Sequence, residues 1–190
     1  MRFYEFVVEA PLLLTKGFVY GWIRGRGIED EVVYFSKVLG IERSTLSDAL
    51  REWFGLENLT HFVVREDIAQ DLRAGMERCE ERLGLKVKSV RPIKGAYVKF
   101  TFSIYNRDLA QRLKKALEKL PAEYIKKHDE KETYIKEAEP TEMYAPLHPY
   151  IYQGEYEVEG PFQEIVEFYK EIKEIPQVKE EPLKLIFEED

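Results

Sequence analysis

The chain has 190 residues, of which 44% are hydrophobic, 34% charged and 13% aromatic, and its formal net charge is -7. That length buries a core without a disulfide or metal staple, and so many aromatic residues exclude a chain that stays unfolded. Cys79 is the one cysteine, so no intrachain disulfide forms. No run approaches the roughly 18 apolar residues of a membrane span, and residues 1–6 read as strand instead of an apolar leader, which makes the cytoplasm the expected compartment.

Residues 3–9 are rich in Phe, Tyr and Val and predict a first strand. Pro11 then suits a helix start. From 12 to 24 Leu14, Phe18 and Trp22 recur at four-residue spacing beside Val19 and Ile23, which predicts a helix buried on most of its circumference. A second strand is expected at 32–38. A short helix follows at about 45–54, capped by Ser44 or Thr45 and ended by Gly55. After a third strand at 61–65, Asp67 and Gln70 stand at capping-box spacing before a helix with Ile68, Leu72, Met76, Cys79 and Leu83 on one face. Cys79 therefore reads as a small core residue. Gly84 ends that helix and 86–90 is a fourth strand.

The pattern then restarts. In residues 96–105, Val98, Phe100, Phe102 and Ile104 point one way and Tyr97, Lys99, Thr101 and Ser103 the other. Asn106 caps a helix carrying Leu109, Leu113, Ala116, Leu117 and Leu120, which Pro121 stops. Strand material lies at 124–125, 134–135 and 155–159. Gly160 and Pro161 open a helix with Phe162, Ile165, Val166, Tyr169 and Ile172 in a stripe, and 183–187 closes the chain as a strand. The fold class expected is α+β in a tandem ferredoxin-like arrangement. Two β-α-β-β-α-β units, residues 1–93 and 94–190, would each lay helices on one face of an antiparallel sheet. A second frame is open, in which 61–127 forms one such unit. Residues 155–190 hold twelve acidic and four basic side chains, so the acidic excess sits at the end of the chain. Lys and Glu dominate the charge while Asn, Gln and Cys are scarce, a thermophile-like composition.

Gly17, Gly21 and Gly25 recur every fourth residue, and each costs a helix interior about 0.5–1 kcal/mol relative to Ala. Close packing against a neighbouring element is the expected compensation; this strip or a sheet edge would also serve a homodimer. Lys16, Arg24 and Arg26 in the same segment are candidate anion ligands, with Glu29, Asp30 and Glu31 as competing partners. The Pro/Tyr-rich loop at 140–152 sets Tyr144, Tyr150 and Tyr152 around His148, a candidate base or ligand contact. No cysteine or second histidine near it offers a metal set, so no metal and no cofactor is expected. His61 and His128 read as structural or solvated.

The segment Lys94-Gly95-Ala96-Tyr97-Val98-Lys99-Phe100 resembles the strand signature of RNA-recognition motifs, one residue short and lacking the first stacking aromatic. With residues 61–64 as its companion strand, that resemblance implies Phe62 and Tyr97 as base-stacking platforms. In outline the tandem arrangement also resembles the RNA-processing endonucleases of CRISPR systems. Their glycine-rich C-terminal loop has no counterpart in residues 176–190, which contain no glycine.

The sequence favours a non-catalytic module for ligand binding, regulation or assembly. Its surface is expected in the cleft between the halves, with Lys16, Arg24, Arg26, His148 and Tyr150 as binding residues and no catalytic residue assigned. An unidentified small molecule or protein is the expected partner, with neither membrane nor nucleic acid. An enzyme with His148 as base and arginines clamping a small anionic metabolite is one alternative, and an RNA-binding module is another.

Overall fold

The computed structural model describes residues 2–28, 33–35, 59–134 and 150–188. The expected short helix at 45–54 lies outside them. The described residues form strands β1 (Phe3–Glu9), β2 (Val33–Phe35), β3 (Leu59–Arg65), β4 (Lys86–Ile104), β5 (Ile125–Tyr134), β6 (Tyr150–Gly160), β7 (Val178–Glu180) and β8 (Lys184–Phe187), together with five helices. The helices are α1 (Leu12–Gly25), α2 (Glu66–Arg78), α3 (Glu80–Leu83), α4 (Arg107–Glu118) and α5 (Phe162–Lys173), and a 3-10 turn, Ala122–Tyr124, precedes β5. The fold is α+β, and the β1–β3, β1–β4, β2–β3, β4–β6, β4–β7 and β5–β6 ladders are all antiparallel. Among the described residues no helix is long and apolar enough to cross a membrane.

Contacts divide the chain into two units, residues 1–94 with 184–190 and residues 95–183. In the first, strands run in the order β2-β3-β1-β4, and β8 adds to β4. Alternation on β1 sends Phe6 and Val8 into a core with Val19 and Ile23 of α1, Phe35, Phe62 and Val64 of β2 and β3, and Leu72 and Met76 of α2. Phe62 lies at its centre, 5.1 Å from Phe6 and 5.2 Å from Phe35 between ring centroids.

Helix α1 buries a narrower stripe than its composition suggests, only Thr15, Val19 and Ile23. Leu13 is 84% exposed. A Cβ added at Gly17, Gly21 or Gly25 would meet nothing within 4 Å. The expected close packing of the glycine strip is therefore not found among the described residues. Helix α2 also stops earlier than its apolar spacing implies. Cys79 is a half-buried C-cap, Leu83 is exposed, and Gly84 takes the left-handed φ of 67° that terminates α3.

The second unit runs β5-β6-β4-β7. Val98, Phe100, Phe102 and Ile104 are buried, as their alternation predicts, and α4 and α5 contribute Leu113, Leu117, Phe162, Ile165, Phe168 and Ile172. The Asn106 side chain accepts from the backbone N–H groups of Asp108 and Leu109, at 2.8 and 3.2 Å, so the expected cap forms. Two expected strands, 86–90 and 96–105, are one strand, β4. Residues 86–93 pair in the first unit and 96–104 in the second. The strand that flanks β4 on the side away from β6 is β7, which the sequence pattern did not single out; the predicted closing strand is β8, in the first unit.

Truncating Phe62 to Ala removes the central ring of the first core. We expect a loss of about 3–5 kcal/mol, measured as a fall in the urea midpoint at constant slope.

Candidate functional site

The richest cluster of polar side chains grows out of the β5–β6 register. Glu132 stands opposite Tyr152, Tyr134 opposite Tyr150, His128 opposite Tyr156, and Glu130 opposite Gly154. All of these project on the face carrying Phe100 and Phe102, because side chains alternate along a strand. A glycine in mid-strand weakens a sheet unless a neighbour uses the space. Here the Phe102 ring fills it, with Tyr152 at 4.7 Å and Tyr156 at 6.0 Å between centroids. A Cβ at residue 154 would fall on the carbonyl oxygen of Asp129 and within 3.0 Å of Phe102 Cζ.

The two tyrosines flanking Gly154 lean over it towards the same acceptor. The phenols of Tyr152 and Tyr156 both donate to Glu130 Oε2, the latter at 2.7 Å. Tyr150 and Tyr134 donate to Glu132 Oε1 at 2.8 and 2.9 Å, and Lys114 of α4 donates to Glu132 Oε2 at 2.6 Å. Cations cover the rings. Arg107 lies 5.0 and 5.6 Å from the centroids of Tyr134 and Tyr150, and Lys114 lies 4.9 Å from that of Tyr152.

This wiring fixes the protonation states. The Lys114 hydrogen bond, then that of Tyr150, holds the Glu132 carboxyl below its ordinary value. Burial, then a hydrogen bond to a carboxylate, pushes the phenols of Tyr150, Tyr152 and Tyr156 well above theirs. These phenols are donors throughout the neutral range. None is poised to take a proton or attack a substrate.

The other face of the same strands is open. A concavity of about 770 Å³ is lined by Thr101 and Ser103 of β4, Asp129 and Lys131 of β5, Gln153 of β6 and Lys179 of β7, among others. Its wall is anchored by Gln177, whose backbone carbonyl accepts from Ser103 N at 3.3 Å and whose side-chain oxygen accepts from Tyr105 N at 3.1 Å. Beside it Lys99 and Glu155 pair at 3.1 Å. Burial and a hydrogen bond with Glu157 push the Tyr97 phenol up to about 12.

The sequence-predicted residues fall in separate places. Lys16, Arg24 and Arg26 belong to the first unit: Lys16 Nζ sits 5.5 Å from the Phe35 centroid, Arg24 is exposed in the last turn of α1, and Arg26 stacks at 4.0 Å on Trp22. His148 and Glu29–Glu31 lie outside the described residues. Tyr150 lies in the second unit, at the start of β6, where its phenol donates to Glu132. The RNA platform is corrected by the ladders, since β1 pairs with both β3 and β4, and Phe62 is fully buried. Sequence reasoning missed Arg107, Lys114, Glu130 and Glu132. Tyr150, Tyr152 and Tyr156 share a strand face, a signal that was available; their partners arrive through strand pairing.

No protein-family model matches the chain, and no curated protein matches it. Among solved structures the chain is similar to one described as an unknown protein from Galdieria sulphuraria. The match has 10% identity and a TM-score of 0.29, and it covers 97% of this chain and 98% of that one. At that TM-score the likeness carries no argument.

Gly154→Ala should cost roughly 1–3 kcal/mol or more, because backbone must move to admit the methyl. It should also alter the near-ultraviolet circular dichroism of the tyrosines. Because the folded Glu132 carboxyl sits below its ordinary value of 4.5, its contribution to stability is present above that pH and drains away as pH falls through the folded value. Urea unfolding against pH should show Glu132→Gln losing stability near neutrality and losing part of the acid-side slope below 4.5. An unchanged slope would show that the carboxylate contributes nothing.

Proposed function

We propose that this protein is a non-catalytic binding module that takes a small polar metabolite bearing an anionic group on the open sheet face of the second unit. The observation that carries this reading is the concavity of about 770 Å³, a volume in the range of small-molecule sites. It sets the Lys131 and Lys179 ammonium groups on two different strands, with the Thr101 and Ser103 hydroxyls and the Gln153 amide as hydrogen-bonding groups, beside the Asp129 carboxylate and a Glu155 carboxylate already paired with Lys99. Among the described residues neither lysine has a carboxylate within ion-pair distance, unlike Lys99.

Its lining contains no histidine or cysteine among the described residues. The tyrosines behind it hold their protons, which favours binding over catalysis. Nucleic acid suits the face poorly. Glu155, Glu157, Glu159 and Asp129 are interleaved with Lys99, Lys127 and Lys131, so the face offers no basic stripe for a phosphate backbone.

We further infer that each unit is ferredoxin-like. What supports this is the strand order, β2-β3-β1-β4 in one unit and β5-β6-β4-β7 in the other, with two long helices in each.

The test is a thermal-shift screen of carboxylated and phosphorylated metabolites followed by calorimetry on any hit. Lys131→Glu and Lys179→Glu should each weaken binding by tenfold or more with the melting temperature of the free protein unchanged. A hit that binds both variants as tightly as the wild type, or a screen without hits, refutes the assignment.

A further inference from the structure

The antiparallel register turns the open face of the second unit into a grid, because residues opposite one another on paired strands project to the same side. Asp129 of β5 stands opposite Glu155 of β6, Glu155 opposite Thr101 of β4, and Thr101 opposite Lys179 of β7. In the next row Lys131 stands opposite Gln153 and Gln153 opposite Ser103. Ser103 N donates to the Gln177 carbonyl, which closes that row at its far end. Both rows line the concavity.

Charge is spread unevenly over this grid. Glu155 is answered by Lys99 at 3.1 Å. Asp129, Lys131 and Lys179 are exposed, and among the described residues none of them has an ion-pair partner. Asp129 and Lys131 lie two residues apart on one strand, about 7 Å along the backbone. An acceptor for an ammonium and a donor to a carboxylate therefore sit side by side on β5. Lys179 is on the opposite side of the hollow. Three strand spacings of about 4.8 Å put β5 and β7 roughly 14 Å apart at the backbone, and four-carbon lysine stems narrow that gap from both sides. Between them lie the Thr101 and Ser103 hydroxyls, which can accept from an ammonium or donate to a carboxylate.

A ligand that is only anionic meets Asp129 with the wrong sign, and like charges set against each other cost affinity. A ligand with one carboxylate leaves one lysine unanswered. The complement of two ammonium groups and one carboxylate is a molecule with two carboxylates and one ammonium, whose single net negative charge cancels the single net positive charge of the three groups. Because Asp129 neighbours Lys131, that ammonium belongs next to one of the carboxylates, as on the α-carbon of an amino acid. We infer that the ligand of this face is an acidic α-amino acid, held through its ammonium by Asp129, through its α-carboxylate by Lys131 and through its side-chain carboxylate by Lys179. The assignment rests on this being the binding face and adds to that reading the requirement for an amino group.

Calorimetry on the full chain at neutral pH tests it with L-glutamate, L-aspartate, glutarate and L-norvaline up to millimolar concentration. Glutarate is glutamate without the ammonium, and norvaline has a methyl in place of the distal carboxylate. The better of the two acidic amino acids should bind tenfold or more tightly than either analogue. Asp129 is exposed, so Asp129→Asn should leave the melting temperature of the free protein unchanged. It should weaken the acidic amino acid tenfold or more and leave glutarate bound as before or more tightly. Wild type that binds glutarate or norvaline as tightly as the acidic amino acids overturns the inference, and so does an Asp129→Asn variant that binds them undiminished. A phosphorylated metabolite that binds where neither acidic amino acid does also overturns it. These three results leave the anion-binding reading in place. If no anionic metabolite binds at all, both fall.

Discussion

Glycine 154 is the constraint on which the second unit depends. With no side chain at that point of β6, the Phe102 ring of the neighbouring strand occupies the space above it and β5 closes against the backbone from the other side. Tyr152 and Tyr156, two residues to either side, then have one acceptor within common reach, the Glu130 carboxylate directly opposite the glycine. A side chain at 154 would separate the two rings and push β5 outward, and the shared acceptor would be lost with the register.

From that follows a division of labour between the two faces of the same strands. On the inner face the carboxylates of β5, an edge strand within the described residues, are bound by phenols and by Lys114, so the charged groups that keep an edge soluble are also tied to the sheet. Such exposed pairs are individually worth little, typically under about 1 kcal/mol. The desolvated phenols matter more, because a buried O–H without an acceptor costs about 1–3 kcal/mol. Among the described residues no helix of its own unit covers the outer face, which keeps hydroxyls, an amide, two ammonium groups and the Asp129 and Glu155 carboxylates in a hollow. One face is fully committed to structure, and the proposed ligand would sit on the other.

What could be read from the sequence was whatever is local. The alternation of Val98, Phe100, Phe102 and Ile104 is a period-two signal and needs no partner to be seen. Asn106 caps α4 through its own next residues. What could not be read was set by pairing. Glu130 looks like any solvated glutamate in the run 126–132 until β6 is laid beside it. His61, inside an apolar strand, gave no hint that Glu5, fifty-six positions earlier, shares its face. The glycine strip of α1 misled for the opposite reason. A spacing that often marks close approach implied a neighbour, whereas the burial follows the single stripe Thr15, Val19 and Ile23. His148 lies outside the described residues, but Tyr150, from the same loop prediction, entered the cluster through Glu132 and Arg107.

The charge asymmetry of the chain shows how a compositional signal is used up by folding. Residues 155–190 are strongly acidic and the stretch before them is not. In the second unit the two are laid side by side: Glu174 meets Arg112 at 2.6 Å and Glu171 meets Lys119 at 3.5 Å between α4 and α5, while Glu155 meets Lys99 and Glu159 meets Lys126 across the sheet. An acidic tail read alone suggests a basic partner molecule. In the fold, part of that partner is the chain's own middle third. Lys131 and Lys179 stand apart from this scheme, since the antiparallel order sets them on β5 and β7 with β6 and β4 between them. Two cations held on opposite sides of a hollow by rigid strands cannot collapse onto one carboxylate, so their charge stays available to the proposed ligand.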